Sequence, residues 1–330
     1  MSHIIVTGAN GFVGRALCRL AMARGHRVTA LGRTPSADPI PGVQPWVHAA
    51  ADFDGLGRQW PVGLKADCVV HLAARVHVMR EEARHEQAAF DATNVDGALR
   101  VAQAAHDHGV PRFVFVSSIK AVAEVDGGVA LTEQAVAAPR DAYGRSKLKA
   151  EQALDRLAAA TGLDVVVMRP PLVYGPEVRA NFLRMMDAVW AGWPLPLGAL
   201  DARRSMVYVD NLADALLRCA LDPRAARGCF HIADDDDPPT LSALLRMLGG
   251  QLGRPARLLP VPAGVLRTLG HWTRRGEQIE RLTENLRVSS AHLRQTLGWL
   301  PPCTMRDGLA ATATWYRSER QRAVRQRAFR

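Results

Sequence analysis

The sequence predicts an α/β fold: a doubly wound parallel sheet with a smaller C-terminal lobe. Three observations point there. Short β-branched runs alternate with helix-patterned segments through the first half of the chain. The first run ends in a glycine-rich turn that opens into a helix pattern. After Arg169 the texture changes, and Pro170, Pro171, Pro176, Pro194 and Pro196 punctuate short elements.

The elements follow in order. His3–Thr7 is a β-branched strand, and the helix pattern of Gly11–Arg24 follows it. Strands are expected at Arg27–Leu31, Ala66–Ala73, Arg112–Ser118 and Asp164–Arg169, with a weaker one at Val43–Ala50. Helices are expected at Ala88–Gly109 and at Ser146–Thr161, the latter ended by Gly162 and Asp164. The run Asp234–Asp237 before Pro238-Pro239 reads as a solvated turn.

Composition sets the bounds. A chain of 330 residues, 48% hydrophobic and 22% charged, has the makeup of a soluble globular protein of one large or two modest domains. It has no apolar run of about 18 residues, so no membrane span is expected. The first strand begins at once, which leaves no room for a signal peptide. Five scattered cysteines lack metal-type spacing and fit reduced thiols, so a cytoplasmic protein without a metal site is expected. The net charge of +10 invites a nucleic-acid reading. Its distribution argues against one, because six arginines and one glutamate crowd into residues 317–330. That segment reads as a frayed, solvated helix end, with a contact to anionic lipid or a partner as the alternative.

The turn Thr7-Gly8-Ala9-Asn10-Gly11-Phe12-Val13-Gly14 has the strand–turn–helix form of a dinucleotide site. Gly8 would make the turn, Gly11 would let the backbone approach a pyrophosphate, and Gly14 would let the helix pack on the sheet. The helix N-terminus offers free N–H groups to the phosphates. Its Gly-x-x-Gly-x-x-Gly spacing departs from the commoner Gly-x-Gly-x-x-Gly.

Further along stands Asp141-Ala-Tyr143-Gly-Arg-Ser-Lys147. On a helix, Tyr143 and Lys147 lie one turn apart on one face. An ammonium beside the phenol is expected to lower the tyrosine pKa and ready it to move a proton at a sugar or alcohol oxygen. Enzymes that prefer NAD usually carry an acid at the end of the second strand. Here Gly32-Arg33 stands in that place. Arg33 can pair with a 2′-phosphate or stack on adenine, so NADP is expected, with NAD as the alternative.

Taken together, the glycine turn and the Tyr-x-x-x-Lys motif resemble the extended branch of the short-chain dehydrogenase/reductase superfamily. Further matching pieces, in the family's order, are His71-Leu72-Ala73-Ala74, Asn94-Val-Asp-Gly97, Val116-Ser117-Ser118, Arg169 to Pro176 and Arg203 to Asn211. The likeness spans nearly the whole chain and implies a Rossmann-like domain with a nucleotide-sugar-binding lobe. By resemblance the lobes interleave. Residues 1–169 with a return at about 206–233 make the cofactor domain, 170–205 and 234–316 the substrate lobe, and 317–330 the basic tail. Met206–Asp222 and Cys229–Ala233 are thus expected to rejoin the main sheet.

The resemblance also implies roles. Ser118 would bond the reacting oxygen, with Ser117 as its rival. Tyr143 would be the acid/base, and Lys147 would also hold the nicotinamide ribose. Asn94 would support the site. Asp52 would reach the adenine amine, and Leu72, Ala73 and Ala74 would line the cofactor. Arg204, Asn181 and Arg287 would bind the substrate diphosphate, with Arg203 as competitor or helper to Arg204, and Arg75 and His77 would face the sugar.

A UDP-sugar substrate and a homodimer formed through the Ala88–Gly109 and Ser146–Thr161 helices complete the expectation. Ile119-Lys120 stands where 4,6-dehydratases carry Asp-Glu, which disfavours dehydration. The reaction expected first is reduction of the C4 ketone of a UDP-N-acetyl-6-deoxyhexos-4-ulose for surface polysaccharide synthesis. The alternatives are 4-epimerisation of a UDP-hexose or UDP-N-acetylhexosamine, and a non-catalytic cofactor-binding sensor or scaffold.

Overall fold

The computed structural model describes residues 1–76, 86–272 and 276–328. Its centre is a seven-stranded sheet in the order β3-β2-β1-β4-β5-β6-β9. The strands are β1 (His3–Thr7), β2 (Arg27–Gly32), β3 (Gln44–Val47), β4 (Cys68–His71), β5 (Arg112–Val116), β6 (Asp164–Arg169) and β9 (Cys229–His231). Every neighbouring pair is parallel, as an α/β chain with helical crossovers requires. The strand order reverses beside β1, where β2 and β3 lie on one side and β4 on the other. That places a crevice at the carboxyl ends of β1 and β4, the usual ligand position in such sheets.

Side-chain alternation along the strands builds two cores. On one face Ile4, Val6 and Val70 pack with Leu17 and Ala21 of α1 (Phe12–Ala23). On the other, Ile5, Val69, Phe113 and Phe115 meet Val101 and Ala105 of a helix running to Asp107, and Ala150 and Leu154 of another ending at Thr161. The first of these is not one regular helix. It comprises α2 (Glu86–Asp91), a π-helical turn at Ala92–Asp96, and α3 (Gly97–Asp107).

Three local expectations are corrected. The helix expected from Ser146 is α4, Ala142–Thr161, and starts one turn earlier. Asp141 caps it, with its side chain accepting from the Gly144 amide at 2.7 Å. Met206–Tyr208 (β8) does not rejoin the main sheet. It pairs in parallel with β7 (Leu172–Tyr174), and only the helix after it, α6 (Val209–Leu221), packs back on the central sheet's face.

Asp234 is not part of a solvated turn either. Its carboxylate accepts from the Tyr174 hydroxyl, the Tyr208 amide and the Asn211 side chain at 2.8–2.9 Å. It therefore ties β7 and β8 to the end of β9. One further helix matters for the site, α5 (Ala180–Trp190).

Candidate active site

The glycine turn is built as its spacing demands. Gly8 has φ +65°, and a β-carbon there would come within 2.9 Å of the Ala73 amide nitrogen. At Gly14 a β-carbon would lie 2.2 Å from the Gly8 carbonyl oxygen, so only glycine lets α1 come this close. Gly11 stands at the N-cap of α1 without a side-chain cap, which leaves the first-turn amides of α1 facing outward. Asn10 and Gly11 are exposed, and Phe12 and Val13 are half-buried. A cradle that no side chain fills, at a helix N-terminus, suits a dinucleotide pyrophosphate.

The floor of the cradle is fixed by one threonine. The Thr7 hydroxyl accepts from the Leu72 and Ala73 amides at 3.1 and 3.2 Å. It therefore donates to His71 Nδ1, 3.0 Å away. Burial holds the His71 ring neutral, with its pKa pushed down to about 3. Asn94 continues the floor from the π-helical turn. Its Oδ1 accepts from the Arg75 amide at 2.8 Å, while its Nδ2 donates to the Arg75 carbonyl at 3.1 Å and to Ser146 Oγ at 2.9 Å. One buried amide thus locks the stretch after Ala74 to the first turns of α4. A π-bulge places it there, which explains an asparagine in a segment that reads as helix. His77 lies outside the described residues.

Ser118, Tyr143 and Lys147 come together at the carboxyl end of β5. Ser118 Oγ accepts from the Lys120 amide at 3.2 Å, in a turn whose Lys120 carbonyl lies against the first turn of α4, the helix that carries Tyr143. Its rival Ser117 is 3% exposed and points inward, its hydroxyl without a hydrogen-bond partner. The expected lowering of the Tyr143 pKa by Lys147 is corrected. Burial, then the charge of Asp141, pushes the phenol up to about 12, and the nearby Ser118 hydroxyl pulls it back only in part.

Lys147 is itself fully buried. Its ammonium donates to the Val116 carbonyl at 2.9 Å and lies 4.7 Å from the Phe115 ring centre and 5.9 Å from that of Tyr143. Burial brings its pKa down to about 7, against the opposing charge of Glu151. Desolvation therefore outweighs pairing at both groups. The phenol is protonated near neutrality and can give a proton to a carbonyl oxygen.

The remaining candidates are less convergent. Arg33 is exposed beside the turn, where Asn10 Nδ2 reaches the Thr34 carbonyl at 3.5 Å. Asp52 has φ +48° and gives one carboxylate oxygen to the Thr93 hydroxyl at 2.7 Å. Asn181 is exposed in the first turn of α5. Arg204 is half-buried and donates to the Glu284 carbonyl at 3.2 Å and the Glu124 carbonyl at 3.5 Å, linking the second lobe to the segment after Ser118.

Arg203 is taken up by Asp237 and the Pro238 carbonyl at 3.1 and 2.8 Å. Arg287 pairs with Asp126, whose side chain is 1% exposed, at 2.6 Å. Removing that guanidinium would strand a buried carboxylate, so Arg287 has a structural duty beside the diphosphate role expected of it. The Thr7–His71 pair and the Asp141 cap escaped the sequence reading, although an aspartate three residues before Gly144 was a legible capping signal.

Among the described residues no cluster of side chains could hold a metal ion, and no helix is long and apolar enough to cross a membrane.

Known proteins place this arrangement. The chain is 35% identical over 94% of its length to a UDP-glucose 4-epimerase of Vibrio cholerae, covering 94% of that protein. It is 27% identical to a GDP-6-deoxy-D-mannose reductase of Pseudomonas aeruginosa, over 94% of this chain and 95% of that one. Its fold matches the structure of a Thermotoga maritima UDP-glucose 4-epimerase bound to UDP-glucose, with a TM-score of 0.77 at 22% identity, covering 96% of this chain and 99% of the other. The Bordetella bronchiseptica enzyme WbmG, solved with NAD and UDP, matches with a TM-score of 0.75 at 20% identity, over 96% and 94% of the two chains. The family model spans residues 4–233, from β1 through β9, and the chain belongs to the NAD dependent epimerase/dehydratase family.

Proposed function

We propose that the protein is an NAD(P)-dependent oxidoreductase acting at C4 of a UDP-linked sugar, and that its reaction is reduction of a 4-keto group, as on a UDP-N-acetyl-6-deoxyhexos-4-ulose. The observation that carries the C4 chemistry is the gathering of Ser118, Tyr143 and Lys147 at the carboxyl end of β5, the end of the parallel sheet that also carries the Gly8–Gly14 cradle. When bound, the cofactor supplies the hydride to C4. Tyr143 gives its proton to the C4 oxygen, so the ketone becomes an alcohol. Ser118 donates a hydrogen bond to the same oxygen and steadies its developing charge. Lys147, one turn along the helix, would hold the nicotinamide ribose. Arg204 and Asn181 are assigned to the diphosphate.

Two observations favour different directions of use. Gly32-Arg33 lacks a carboxylate to repel a 2′-phosphate, which favours NADPH and net reduction. The likeness to the Vibrio cholerae epimerase favours the second reading, reversible oxidation at C4 with return of hydride to the other face. The purified protein separates them. A reductase consumes NADPH in proportion to a 4-keto UDP-sugar and takes no UDP-hexose to its epimer. An epimerase interconverts UDP-glucose or UDP-N-acetylglucosamine with its C4 epimer on tightly held NAD and without net change in cofactor. Neither activity, with both cofactors supplied, would return the chain to the sensor reading.

A further inference from the structure

Lys120 joins the two segments that carry the reacting hydroxyls. It lies two residues past Ser118, in the short 3-10 turn Ile119–Ala121, and its amide donates to Ser118 Oγ at 3.2 Å. Its carbonyl lies against the first turn of α4, where a β-carbon at Gly144 would approach it to 2.3 Å. Its ammonium meets Asp141 Oδ2 at 2.5 Å. The other oxygen of Asp141 accepts from the Gly144 amide at 2.7 Å and so caps the helix that carries Tyr143.

Amide, carbonyl and ammonium of one residue thus touch Ser118, Gly144 and Asp141. Both side chains of the ion pair are about a third exposed, at 32% and 29%, which makes a purely solvent-screened pair of little consequence an incomplete description. A charge-assisted bond to a capping carboxylate has directional strength beyond its Coulomb energy. The pair sits where displacement is most costly, because two hydroxyls must converge on one oxygen and a misplacement of about 1 Å can cost roughly 100-fold in rate.

We propose that Lys120 is a positioning residue that clamps the Ser118 turn to the N-cap of α4, holding the Ser118 and Tyr143 hydroxyls on one substrate oxygen. The inference rests on the C4 oxidoreductase reading, and its test is arranged to fail separately from that reading. Lys120→Met, Lys120→Arg and Asp141→Asn are made in the full chain. Each is assayed with NADPH or NAD on a 4-keto UDP-sugar, UDP-glucose and UDP-N-acetylglucosamine.

The clamp predicts that Lys120→Met lowers kcat by about 10- to 100-fold while KM stays within about twofold and the melting temperature holds. Lys120→Arg keeps the ion pair and should restore kcat to within about threefold of wild type. Asp141→Asn should lower kcat, and combining it with Lys120→Met should add little, as expected for two halves of one contact. Amide exchange at Gly144, followed in the NADPH-bound protein without any sugar, should quicken in Lys120→Met and return toward wild type in Lys120→Arg.

The clamp is overturned if Lys120→Met keeps wild-type kcat, or if Met and Arg variants lose rate equally along with thermal stability. If wild type turns over none of the sugars, the proposed function has failed. Exchange at Gly144 then decides the clamp alone, and an unchanged rate overturns it.

Discussion

Replacing Gly14 with alanine sets two physical effects against each other. Alanine is the better helix former by roughly 1 kcal/mol, so propensity alone predicts a more stable α1. The geometry predicts the reverse. The new β-carbon would stand 2.2 Å from the Gly8 oxygen, 2.7 Å from Ala9 Cα and 2.9 Å from the Gly8 carbonyl carbon. All three are backbone atoms, so no flexible side chain can give way. Reaching an ordinary contact of about 3.5 Å needs over 1 Å of movement between strand end and helix.

Overpacking of this kind costs about 1–3 kcal/mol and occasionally more, and at this severity the upper part of that range applies. Net of propensity, a loss of about 1–2 kcal/mol should remain. The relief would tilt the start of α1 away from Gly8 and move the outward-facing amides. A loss of about 1.4 kcal/mol in cofactor binding then means tenfold weaker affinity. Urea denaturation gives the first quantity, and calorimetric titration with NADPH and NADH the second. A variant as stable as wild type, or more so, with unchanged cofactor affinity would refute the close-approach reasoning.

Lys147→Met should trade activity for stability. In the folded state the lysine pKa falls to about 7, below its ordinary 10.5, so between these values the unfolded chain binds more protons and wild-type stability rises with pH. The methionine variant lacks that slope, and denaturation curves at pH 7 and pH 10 should show its advantage over wild type shrinking as pH rises. An advantage that stays constant would contradict a lysine buried at a cost. Arg204→Ala should weaken UDP binding by about 1.5–3 kcal/mol and leave NADP(H) binding alone; unchanged UDP affinity in calorimetry removes Arg204 from the site. The pair Gly32→Asp with Arg33→Asn should shift preference toward NADH by about five- to 150-fold, and a fixed NADPH-to-NADH ratio shows that this turn does not choose the cofactor.

What could be read from the sequence was what local sterics enforce. The glycine spacing was legible because close approach permits nothing else at Gly14. The strands were legible because burial on both faces leaves near-continuous apolar runs, as in Val114 and Phe115 of β5. Three-residue strands carry no such period, and so β8 was expected in the wrong sheet.

Site residues were readable as types but not as electrostatics. Tyr143 and Lys147 stand one turn apart as the motif implies. Their proton affinities, however, follow from burial and from the charges of Asp141 and Glu151, which the Tyr-x-x-x-Lys spacing does not encode. The Arg287–Asp126 pair joins residues far apart in sequence, so this arginine's hold on a buried carboxylate was not legible beside the phosphate role expected of it. Asparagine is a poor helix former, and the π-turn accounts for Asn94 within a segment patterned as helix.

The most direct test of the proton relay is Tyr143→Phe, measured on the substrate that wild type turns over, with cofactor affinity determined in parallel. The phenylalanine ring keeps the packing against Phe90, whose ring centre is 6.0 Å away, and removes only the phenol hydroxyl. The account predicts turnover reduced by about two to four orders of magnitude, with cofactor affinity nearly intact. Turnover within about threefold of wild type would contradict it, because a loss that small is well below what removing a general acid costs.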